Sequence, residues 1–598
     1  MEISLARYNF FISLELLKTL VAKGMKHIIL CPGSRSGPLA LAAASLYKKK
    51  ELILITSIDE RSAAFLALGI SAASGQVTCV ITTSGTAVAN LLPAAVEADR
   101  SCHPLLFLTA DRPLRLKECG ANQAVNQEDF LKSVCRHYDE TPREGIHLIS
   151  RERLNSLVGK SFEMAKNIPG PVHINLPYEE PLHPCVLDQK EVINGWEIDG
   201  FSTKKITSSS GDFLSNVSSL KLPRLDPFSL GIIIVGPWRG KAKQLDSFRN
   251  ALKKWQKLSG WPILADPLSG VENNQEGLIK HWNLILSTSL FETVKQIQVL
   301  RLGPLPPSRE LQFWLEKPGK IQLLITEGDY RNLDPIGGST QFSEGFSYWV
   351  NKSIGSISTL PKTNKNIISE KFTSELIKYD LFINNWLDKR LLRKAIITEP
   401  ALARLLPRLL PKSIPVMLAS SSPIRDWLNY SGEGAFLRRC FGFRGASGID
   451  GTLSMGMGLS IIMGRMILVT GDLALLHDTN GWLFSKDRNI SLIVIMIDNG
   501  GGGIFNQLNI DQVEEGDFKE IFLMPQQVCP LTLAKAYGVK YKQVACIDDL
   551  EQAIEWSFSL STNALIRVCT NSIEDHKLRV SLRNDLKKRL PENLLSFD

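Results

Sequence analysis

The chain has 598 residues, of which 44% are hydrophobic and 22% charged, and it carries a formal net charge of +8. This length predicts several domains of roughly 150 residues each, and the composition is typical of a soluble globular enzyme. The mild charge excludes a nucleic-acid-binding surface, and the lack of apolar runs of roughly 18 residues excludes stable insertion into a membrane. The ten cysteines lack the spacing of a zinc site or a disulfide framework, so we expect a reducing, cytoplasmic location.

Helices and strands alternate through residues 1–182. The predicted helices lie at about 8–24, 38–47, 60–74 and 87–98, and the predicted strands at 27–31, 52–56, 77–82, 104–109 and 172–176. This alternation is typical of a doubly wound parallel sheet, with helices covering both faces. We assign residues 1–190 to a first α/β domain.

Two polar stretches divide the rest of the chain. A serine-rich polar stretch predicts a linker at 191–229, and a second polar stretch predicts a linker at 351–384. The segment 230–350 between them has apolar strands at about 231–236, 262–266, 299–303 and 321–326. A third α/β domain is predicted at 385–598. The expected fold class is therefore α/β, with three doubly wound parallel-sheet domains.

Two loops in the last domain each follow a short apolar run that predicts a buried strand. Gly471-Asp472-Leu473 follows the run 466–470, and Asp498-Asn499-Gly500-Gly501 follows the run 491–497. One amphipathic stretch at about 475–485 separates them, which predicts a βαβ unit with both loops at the carboxyl edge of a parallel sheet. A carboxylate, a carboxamide and a glycine carbonyl are hard oxygen ligands for Mg²⁺, which usually completes its shell with phosphate and water. The pair predicts a magnesium–diphosphate site, although either loop alone could be an ordinary turn.

Polar residues also follow the predicted strands of the first domain, and they should crowd one edge of its sheet. They are Ser34, Arg35, Glu60, Ser84, Gly85, Arg112 and Gln123. Glu60 begins an alanine-rich helix, where the helix dipole favours a carboxylate, so an N-capping role is the alternative for this residue.

Arginines bracketed by glycine, serine or proline recur in loops expected at strand ends. They are Arg35, Arg112, Arg309, Arg425 and Arg444, and Ser421 lies beside Arg425. A planar guanidinium suits bidentate binding of a carboxylate. One such arginine alone would be read as a surface salt bridge, but five together favour a substrate that carries several carboxylates.

The two loops of the last domain resemble the thiamin-diphosphate fingerprint, Gly-Asp-Gly followed at a similar distance by Asn-Asn. Leu473 and Asp498 depart from it, whereas the positions of the metal ligands, Asp472 and Asn499, are intact. Within that superfamily the chain resembles the SEPHCHC synthase family of menaquinone and phylloquinone biosynthesis. The segments that carry this resemblance are CPGSRSGPLA, TSGTAVANLLPAAVEA, LTADRP, GANQA, GPVHIN, WPILADPLSG and FRGASGIDG. It extends to about Gln527 and is weak in the two linkers.

The resemblance implies a pyrimidine-binding first domain, a central domain without cofactor and a diphosphate-binding last domain. It also implies a cofactor shared between subunits, hence at least a homodimer, and usually a tetramer. Glu60 would hydrogen-bond the aminopyrimidine ring and drive its imino tautomer, and Ile449 would hold the cofactor bent. Asp472, Asn499 and the carbonyl of Gly501 would bind Mg²⁺ or Mn²⁺. Further cofactor contacts are implied for Ser84, Gly85, Gln123, Gly471, Leu473 and Ile504.

The reaction that the resemblance implies is decarboxylation of 2-oxoglutarate, with release of CO₂ and 1,4-addition of the succinyl unit to isochorismate. Gln123, Ser421, Arg425 and Arg444 would contact the 2-oxoglutarate-derived group, and Arg35, Arg112 and Arg309 would contact isochorismate. Ser34 is a further expected substrate contact. The run Gly500 to Gly503 replaces asparagine and glutamine of many relatives, so backbone amides should supply some diphosphate contacts.

Two alternatives remain open. Another thiamin-diphosphate decarboxylase or carboligase, such as an acetohydroxyacid synthase relative, would use a small apolar donor and would not need the arginines. A non-catalytic or dinucleotide-binding α/β protein would need GxGxxG at a strand-to-helix turn, which the sequence lacks in that context.

Overall fold

The computed structural model describes residues 4–198, 222–288, 291, 294, 296–357, 367–392, 397–487, 489–507 and 514–590. Over these residues the chain forms three six-stranded sheets, and every strand pair in them is parallel. The chain groups into two compact units, Met1–Leu222 with the first sheet and Pro223–Asp598 with the second and third. The predicted α/β class with three parallel sheets is confirmed.

The first unit contains one sheet in the strand order β2-β1-β3-β4-β6-β5. Its strands are β1 His27–Leu30, β2 Ile53–Thr56, β3 Thr78–Thr82, β4 Leu105–Asp111, β5 His137–Glu140 and β6 Pro171–Pro177. Its helices are α1 Leu5–Ala22, α2 Gly37–Lys48, α3 Glu60–Ser74, α4 Thr86–Ala89, α5 Leu92–Ser101, α6 Arg151–Asn167 and α7 Val186–Ile198. The chain leaves β1 towards β2 and returns on the other side as β3, so the crossovers diverge between β1 and β3.

Three elements of the first unit differ from the prediction. Helix α1 begins at Leu5 because the Ser4 side chain caps it by accepting the Arg7 amide. The helix predicted at 87–98 is two helices, α4 and α5, because Pro93 occupies the first turn of α5, where a missing amide donor is tolerated. Strand β5 was not predicted, since its four residues, His-Tyr-Asp-Glu, show no apolar alternation.

The second unit contains two sheets, in the orders β12-β11-β10-β7-β8-β9 and β14-β13-β15-β16-β18-β17. The strands are β7 Gly231–Val235, β8 Ile263–Ala265, β9 Leu278–Ile279, β10 Ile297–Leu302, β11 Lys320–Ile325, β12 Ser339–Phe342, β13 Val416–Leu418, β14 Cys440–Phe441, β15 Met466–Gly471, β16 Leu492–Asp498, β17 Lys540–Val544 and β18 Ala564–Cys569. The helices are α8 Leu245–Ser259, α9 Trp282–Leu286, α10 Arg309–Glu316, α11 Phe346–Ile357, α12 Ile367–Leu391, α13 Glu399–Leu409, α14 Ser422–Tyr430, α15 Thr452–Met463, α16 Asp472–His477, α17 Glu515–Asp517, α18 Pro530–Ala536, α19 Ile547–Ser559 and α20 Ser572–Arg589.

The predicted linkers coincide in part with helices. Helix α7 crosses residue 190, and the serine-rich part of the first linker lies outside the described residues. Helix α12 covers much of the linker predicted at 351–384, and its buried residues Phe372, Leu376, Ile383 and Leu387 join the same hydrophobic core as the middle sheet. That spacing is the apolar stripe of a packed helix. The domain boundaries themselves stay a prediction. No helix in the described ranges is both long and apolar enough to cross a membrane.

The α-helical part of the crossover between β15 and β16 is shorter than predicted. Helix α16 ends at His477, and a 3-10 helix, Thr479–Lys486, follows it. The Asp478 carboxylate accepts the Ser454 amide at 2.7 Å, and a Cβ on Gly481 would lie 2.9 Å from the Leu453 side chain. These contacts with α15 fix the local path, and local hydrophobic spacing does not reveal them.

A buried histidine in β6 should make the first unit sensitive to acid. His173 is fully buried, its Nε2 lies 2.7 Å from Thr109 Oγ1, and burial lowers its pKa to about 3. The unfolded chain binds a proton below about pH 6.5, so stability is complete above that value and falls as the pH drops towards 3. We expect a loss of about 1.4 kcal/mol in unfolding free energy per pH unit in this window.

The measurement is the thermal midpoint at about pH 7 and about pH 5, the two sides of the expected onset. His173→Gln should show a smaller acid shift than the wild type. His183→Gln removes an exposed histidine of the same unit and should behave as the wild type. An identical acid shift in all three proteins would contradict the prediction.

Candidate active site

The predicted site residues of the first unit follow four adjacent strands of one sheet. Arg35 follows β1, Glu60 follows β2, Ser84 follows β3 and Arg112 follows β4, and the strand order is β2-β1-β3-β4. The crossovers diverge between β1 and β3, and open α/β sheets bind ligands outside such a point. The topology therefore brings these residues to one carboxyl edge.

Arg112 is the centre of a polar cluster at this edge. Its Nη1 donates to Ser84 Oγ, and its Nη2 donates to Gln123 Oε1 at 3.4 Å. Desolvation, and next the positive charge of Arg35, lower the pKa of Arg112. Gln123 has a φ of +58°, and a Cβ on Gly85 would lie 3.6 Å from its Cβ. A non-glycine residue in the left-handed region is a recurrent feature of ligand sites.

Arg35 is committed to its own chain. Its Nη1 donates to the carbonyl of Tyr178 and its Nη2 to Glu180 Oε1, both at 2.8 Å, and its side chain is 5% exposed. The buried Nε has no hydrogen-bond partner within the described parts of the chain. Its neighbour Ser34 is exposed. Arg35 can therefore offer its positive charge and its Nε–H to a ligand. Its two Nη groups already donate within the chain, so it cannot bind a carboxylate through both of them.

Glu60 is the first residue of α3 but not its cap. Asp59 is the N-cap, and its Oδ1 accepts the Ser62 amide at 3.1 Å. The Glu60 carboxylate is half-buried and makes no hydrogen bond or ion pair with any residue that the structure describes. The N-capping alternative for Glu60 is therefore excluded, and its carboxylate remains available to a ligand.

A buried polar network supports Gly85, and the sequence reading missed it. Gln127 Oε1 accepts the Gly85 amide at 2.9 Å, and Gln127 Nε2 donates to Asn175 Oδ1 at 2.9 Å. Asn175 Nδ2 donates to Asp111 Oδ2 at 2.9 Å, and Lys117 Nζ donates to the same oxygen at 2.7 Å. Gly85 has a φ of +91°, so this network holds a conformation that side chains disfavour. The sequence signal that could have revealed this network is Asn175, a polar residue within the otherwise apolar strand β6.

The predicted residues of the last sheet are also collected at one edge. Arg444 follows β14, Ser421 follows β13, Asp472 follows β15 and Asn499 follows β16, and these strands are consecutive in the sheet. Strands β15 and β16 are parallel neighbours in which Gly471 pairs with Ile497. The predicted strand-crossover-strand arrangement is therefore correct, and the crossovers diverge between β13 and β15.

Asp472 is the first residue of α16 and is 8% exposed. Its Oδ1 accepts the Leu473 amide at 2.8 Å, and the Gly501 amide also donates to this carboxylate. Burial, and the nearby carboxylate of Asp498 as a smaller cause, raise the pKa of Asp472 to about 7. Asp498 is itself paired with Arg567 at 2.6 Å. A buried carboxylate beside another anion is an environment that a divalent cation would stabilise.

Asn499 supplies the test of whether a cation fits. Its Nδ2 donates to Glu399 Oε1 at 2.5 Å, whereas its Oδ1 is buried without a hydrogen-bond partner among the described residues. Gly501 has a φ of +123°, and a Cβ there would lie 1.9 Å from the carbonyl oxygen of Leu523. An unsatisfied amide oxygen, a carboxylate and a glycine carbonyl are donors that suit Mg²⁺ or Mn²⁺.

The glycine run differs from the predicted nest of free amides. The amides of Gly500, Gly502 and Gly503 donate to Asp498 Oδ1, the Leu523 carbonyl and the Gly501 carbonyl, at 3.3, 2.6 and 2.8 Å. These three amides are therefore already used within the chain.

Gly471 offers space at the same edge. It has an ordinary extended conformation, and a Cβ on it would meet no atom within 4 Å. Neither backbone nor packing within the chain therefore requires a glycine, which leaves room for a ligand. Leu473 is half-buried in the first turn of α16, and Ile504 is half-buried in the 3-10 helix Gly503–Gln507, which follows β16.

Two arginines predicted in loops are in helices. Arg425 lies one turn into α14, and its Nη1 donates to the Ser421 carbonyl at 2.7 Å. Arg309 is the first residue of α10, because Ser308 caps that helix by accepting the Leu311 amide at 3.0 Å. Desolvation lowers the pKa of Arg425, and the charge of Arg309 lowers it further. The charge of Asp426 partly opposes this shift. Ser421 has a φ of +75°. The charge of Arg309, at the start of α10, therefore acts on Arg425 in α14.

Arg444 and Ile449 lie in the loop between β14 and α15, as predicted. The Arg444 carbonyl accepts Arg239 Nη2 at 2.8 Å, and the Ile449 carbonyl accepts Thr452 Oγ1 at 2.8 Å. Burial raises the pKa of Asp266, and the charge of Arg444 partly opposes this shift. Arg444 is therefore anchored near the middle sheet region, and Ile449 is half-buried before the first turn of α15.

Comparison with known proteins agrees with this arrangement. Residues 14–132 match the family model "Thiamine pyrophosphate enzyme, N-terminal TPP binding domain", and residues 427–568 match "Thiamine pyrophosphate enzyme, C-terminal TPP binding domain". The fold is therefore that of a thiamine pyrophosphate (thiamin diphosphate) enzyme. Proteins named 2-succinyl-5-enolpyruvyl-6-hydroxy-3-cyclohexene-1-carboxylate synthase are similar over the whole chain. Those of Prochlorococcus marinus strains NATL1A and NATL2A are 82% and 83% identical over 100% of both chains.

A more distant relative of the same name, from Synechococcus sp. strain CC9311, is 47% identical and aligns over 96% of this chain and 99% of its own. The chain belongs to the family of 2-succinyl-5-enolpyruvyl-6-hydroxy-3-cyclohexene-1-carboxylate (SEPHCHC) synthases. It is accordingly a thiamin-diphosphate-dependent enzyme of the transferase type.

Proposed function

We propose that this enzyme decarboxylates 2-oxoglutarate and adds the resulting succinyl unit 1,4 to isochorismate, with Mg²⁺ or Mn²⁺ as the metal. The observation that carries this proposal is the carboxyl edge of the last sheet, where Arg425 follows β13, Arg444 follows β14 and Asp472 follows β15. Like charges repel, so a built cluster of arginines needs anionic partners, and both proposed substrates are dicarboxylates. The relatives' names support the same product.

The residues at the last sheet would hold the cofactor through its diphosphate. Asp472, Asn499 and the Gly501 carbonyl would bind the metal, and the metal would offset the negative charge of the diphosphate. Gly471 leaves space for that group, and Leu473 and Ile504 would make further cofactor contacts. Thiamin diphosphate supplies the carbon nucleophile and the electron sink for decarboxylation. Ile449 would pack against it from the loop before α15.

The residues of the first unit would act on the aminopyrimidine ring and on substrate. The free Glu60 carboxylate would accept a hydrogen bond from the ring and exchange a proton with it, with Ser84, Gly85 and Gln123 as neighbours. An ionised carboxylate at the start of α3 is favoured by the helix dipole. We infer that two or more copies associate, because the resemblance to thiamin-diphosphate enzymes implies a cofactor shared between subunits.

The arginines divide the substrates between them in this proposal. Gln123, Ser421, Arg425 and Arg444 would contact the group derived from 2-oxoglutarate. Ser34, Arg35, Arg112 and Arg309 would contact isochorismate. Arg35 is the least free of these, since Tyr178 and Glu180 already hold it.

Removal of one substrate arginine should weaken substrate use selectively. We expect Arg112→Ala and Arg444→Ala each to lower kcat/KM for one substrate by about 10- to 100-fold, the value of a charge-assisted hydrogen bond. Affinity for thiamin diphosphate should stay close to that of the wild type. Steady-state kinetics with each substrate varied, beside cofactor titration by calorimetry, measures both quantities.

Arg100→Ala is the control, because it removes an exposed arginine of α5. Loss of cofactor binding in both site variants would show that these arginines are structural instead.

The decisive experiment is a two-substrate assay with the product identified by mass. We expect turnover of 2-oxoglutarate plus isochorismate to SEPHCHC and CO₂. A preference for pyruvate would favour the acetohydroxyacid-synthase-like alternative, which has no use for the arginines.

A further inference from the structure

A chain of buried charged residues leads from Asn499 into the interior of the second unit. Asn499 Nδ2 donates to Glu399 Oε1, and Glu399 Oε2 accepts Arg579 Nη2, each at 2.5 Å. Arg579 also donates through Nε to Asp426 Oδ1 at 3.0 Å and through Nη2 to Asp426 Oδ2. Glu399 is 2% exposed, and Asp426 and Arg579 are each 4% exposed. Helices α13, α14 and α20 supply these three residues, and the motifs of the sequence analysis include none of them.

Glu399 determines which way the Asn499 amide faces. An asparagine amide has a donor end and an acceptor end, whereas an ionised carboxylate only accepts. Facing Glu399, the amide must present Nδ2, and its Oδ1 is then directed away. That oxygen is buried and lacks a hydrogen-bond partner in the described ranges. A buried polar atom without a partner is unfavourable unless a ligand satisfies it.

Arg579 binds both carboxylates of this chain of buried residues. Glu399 and Asp426 are two buried carboxylates that share this one guanidinium. Burial raises the pKa of Asp426 to about 6, the charge of Arg579 opposes that shift, and Glu399 adds to it. Without Arg579 the two buried carboxylates would lack a compensating positive charge, and Glu399 would lose the partner that holds its side chain in place. The backbone amide of Glu399 is fixed separately by Asp575 Oδ1 at 2.9 Å.

We propose that Glu399, held by Arg579, is a positioning residue that keeps the Asn499 amide oxygen directed towards the divalent cation. This inference rests on the metal–diphosphate site proposed above. Groups behind a metal ligand commonly fix its orientation, and their loss costs about 10- to 100-fold in metal affinity. A network that only tied three helices together would affect stability but not metal affinity in particular.

The test measures Mn²⁺ binding by electron paramagnetic resonance, with the full-length protein and thiamin diphosphate present. Glu399→Gln places an amide N–H₂ against Asn499, so the Asn499 amide should turn its oxygen inwards. We expect the Mn²⁺ dissociation constant to rise about 10- to 100-fold. Glu551→Gln makes the same change at an exposed position of α19 and should bind as the wild type does.

The double variant E399Q/N499D separates orientation from general damage. It exchanges donor and acceptor, since the glutamine amide now donates to a carboxylate whose other oxygen can face the cation, and the net charge of the pair is unchanged. Mn²⁺ affinity should return to within a few-fold of the wild type, well inside the 10- to 100-fold loss of the single variant. If the single variant does not fold, the Mn²⁺ affinity of the double variant still tests the inference.

Three results would overturn the inference. The first is a folded Glu399→Gln variant that binds Mn²⁺ as tightly as the wild type, which would contradict this inference but not the proposed metal site. So would a folded double variant that binds Mn²⁺ as weakly as the single variant. A wild-type protein that binds no Mn²⁺ with thiamin diphosphate present would overturn the proposed metal site and this inference together.

Discussion

Replacing Glu60 by glutamine should lower kcat by about 10²- to 10⁴-fold, the range typical of a positioned acid–base group. Glutamine keeps the shape of the side chain but cannot take up a proton. The helix should be unaffected, because Asp59 caps α3 and the Glu60 carboxylate has no hydrogen bond within the described structure. Single-turnover kinetics and the thermal midpoint, measured on the same preparation, test both statements.

Glu51→Gln is the matched control, since Glu51 is an exposed glutamate of the same unit. It should leave kcat unchanged. Near-normal turnover of Glu60→Gln would show that the carboxylate does not exchange a proton during the reaction, and the acid–base part of the proposal would then be wrong.

Replacing Asp472 by alanine should weaken binding of thiamin diphosphate in the presence of Mg²⁺ by about 100-fold or more, since even groups behind a metal ligand contribute about 10- to 100-fold. The expected cause is the loss of a charged metal ligand at the edge of β15. Calorimetric titration of the cofactor at fixed Mg²⁺ measures the effect directly.

The same variant makes a prediction about stability without cofactor. The pKa of Asp472 is raised to about 7 in the folded protein, mainly by burial. The folded state therefore binds more protons than the unfolded one between about pH 4 and 7, and this group lowers stability as the pH rises through that window. We expect the cofactor-free variant at about pH 8 to be no less stable than the wild type.

The control for the cofactor titration is Asp549→Ala, at an exposed site of α19. Equal cofactor affinity in the Asp472 and Asp549 variants would contradict the metal role of Asp472.

Local sequence was a good guide wherever neighbouring residues carry the signal. The strands that precede Asp472 and Asn499 are continuous apolar runs, so their ends and their common sheet edge could be predicted. Local patterning misjudged Arg309 and Arg425, which were expected in loops. Each instead lies near the start of a helix, because Ser308 caps α10 and a serine–proline pair opens α14.

The sequence by itself determined the α/β class, the parallel sheets and the residues at the sheet edges, since strand periodicity and crossover length depend on short segments of chain. Only the tertiary structure decided how those residues are held. Glu399 lies 100 positions from Asn499 and 180 from Arg579, and Gln127 lies 42 positions from Gly85. A hydrogen bond between such distant residues leaves no periodic trace in the chain. It exists because folding buries polar groups together, and buried polar groups must find partners.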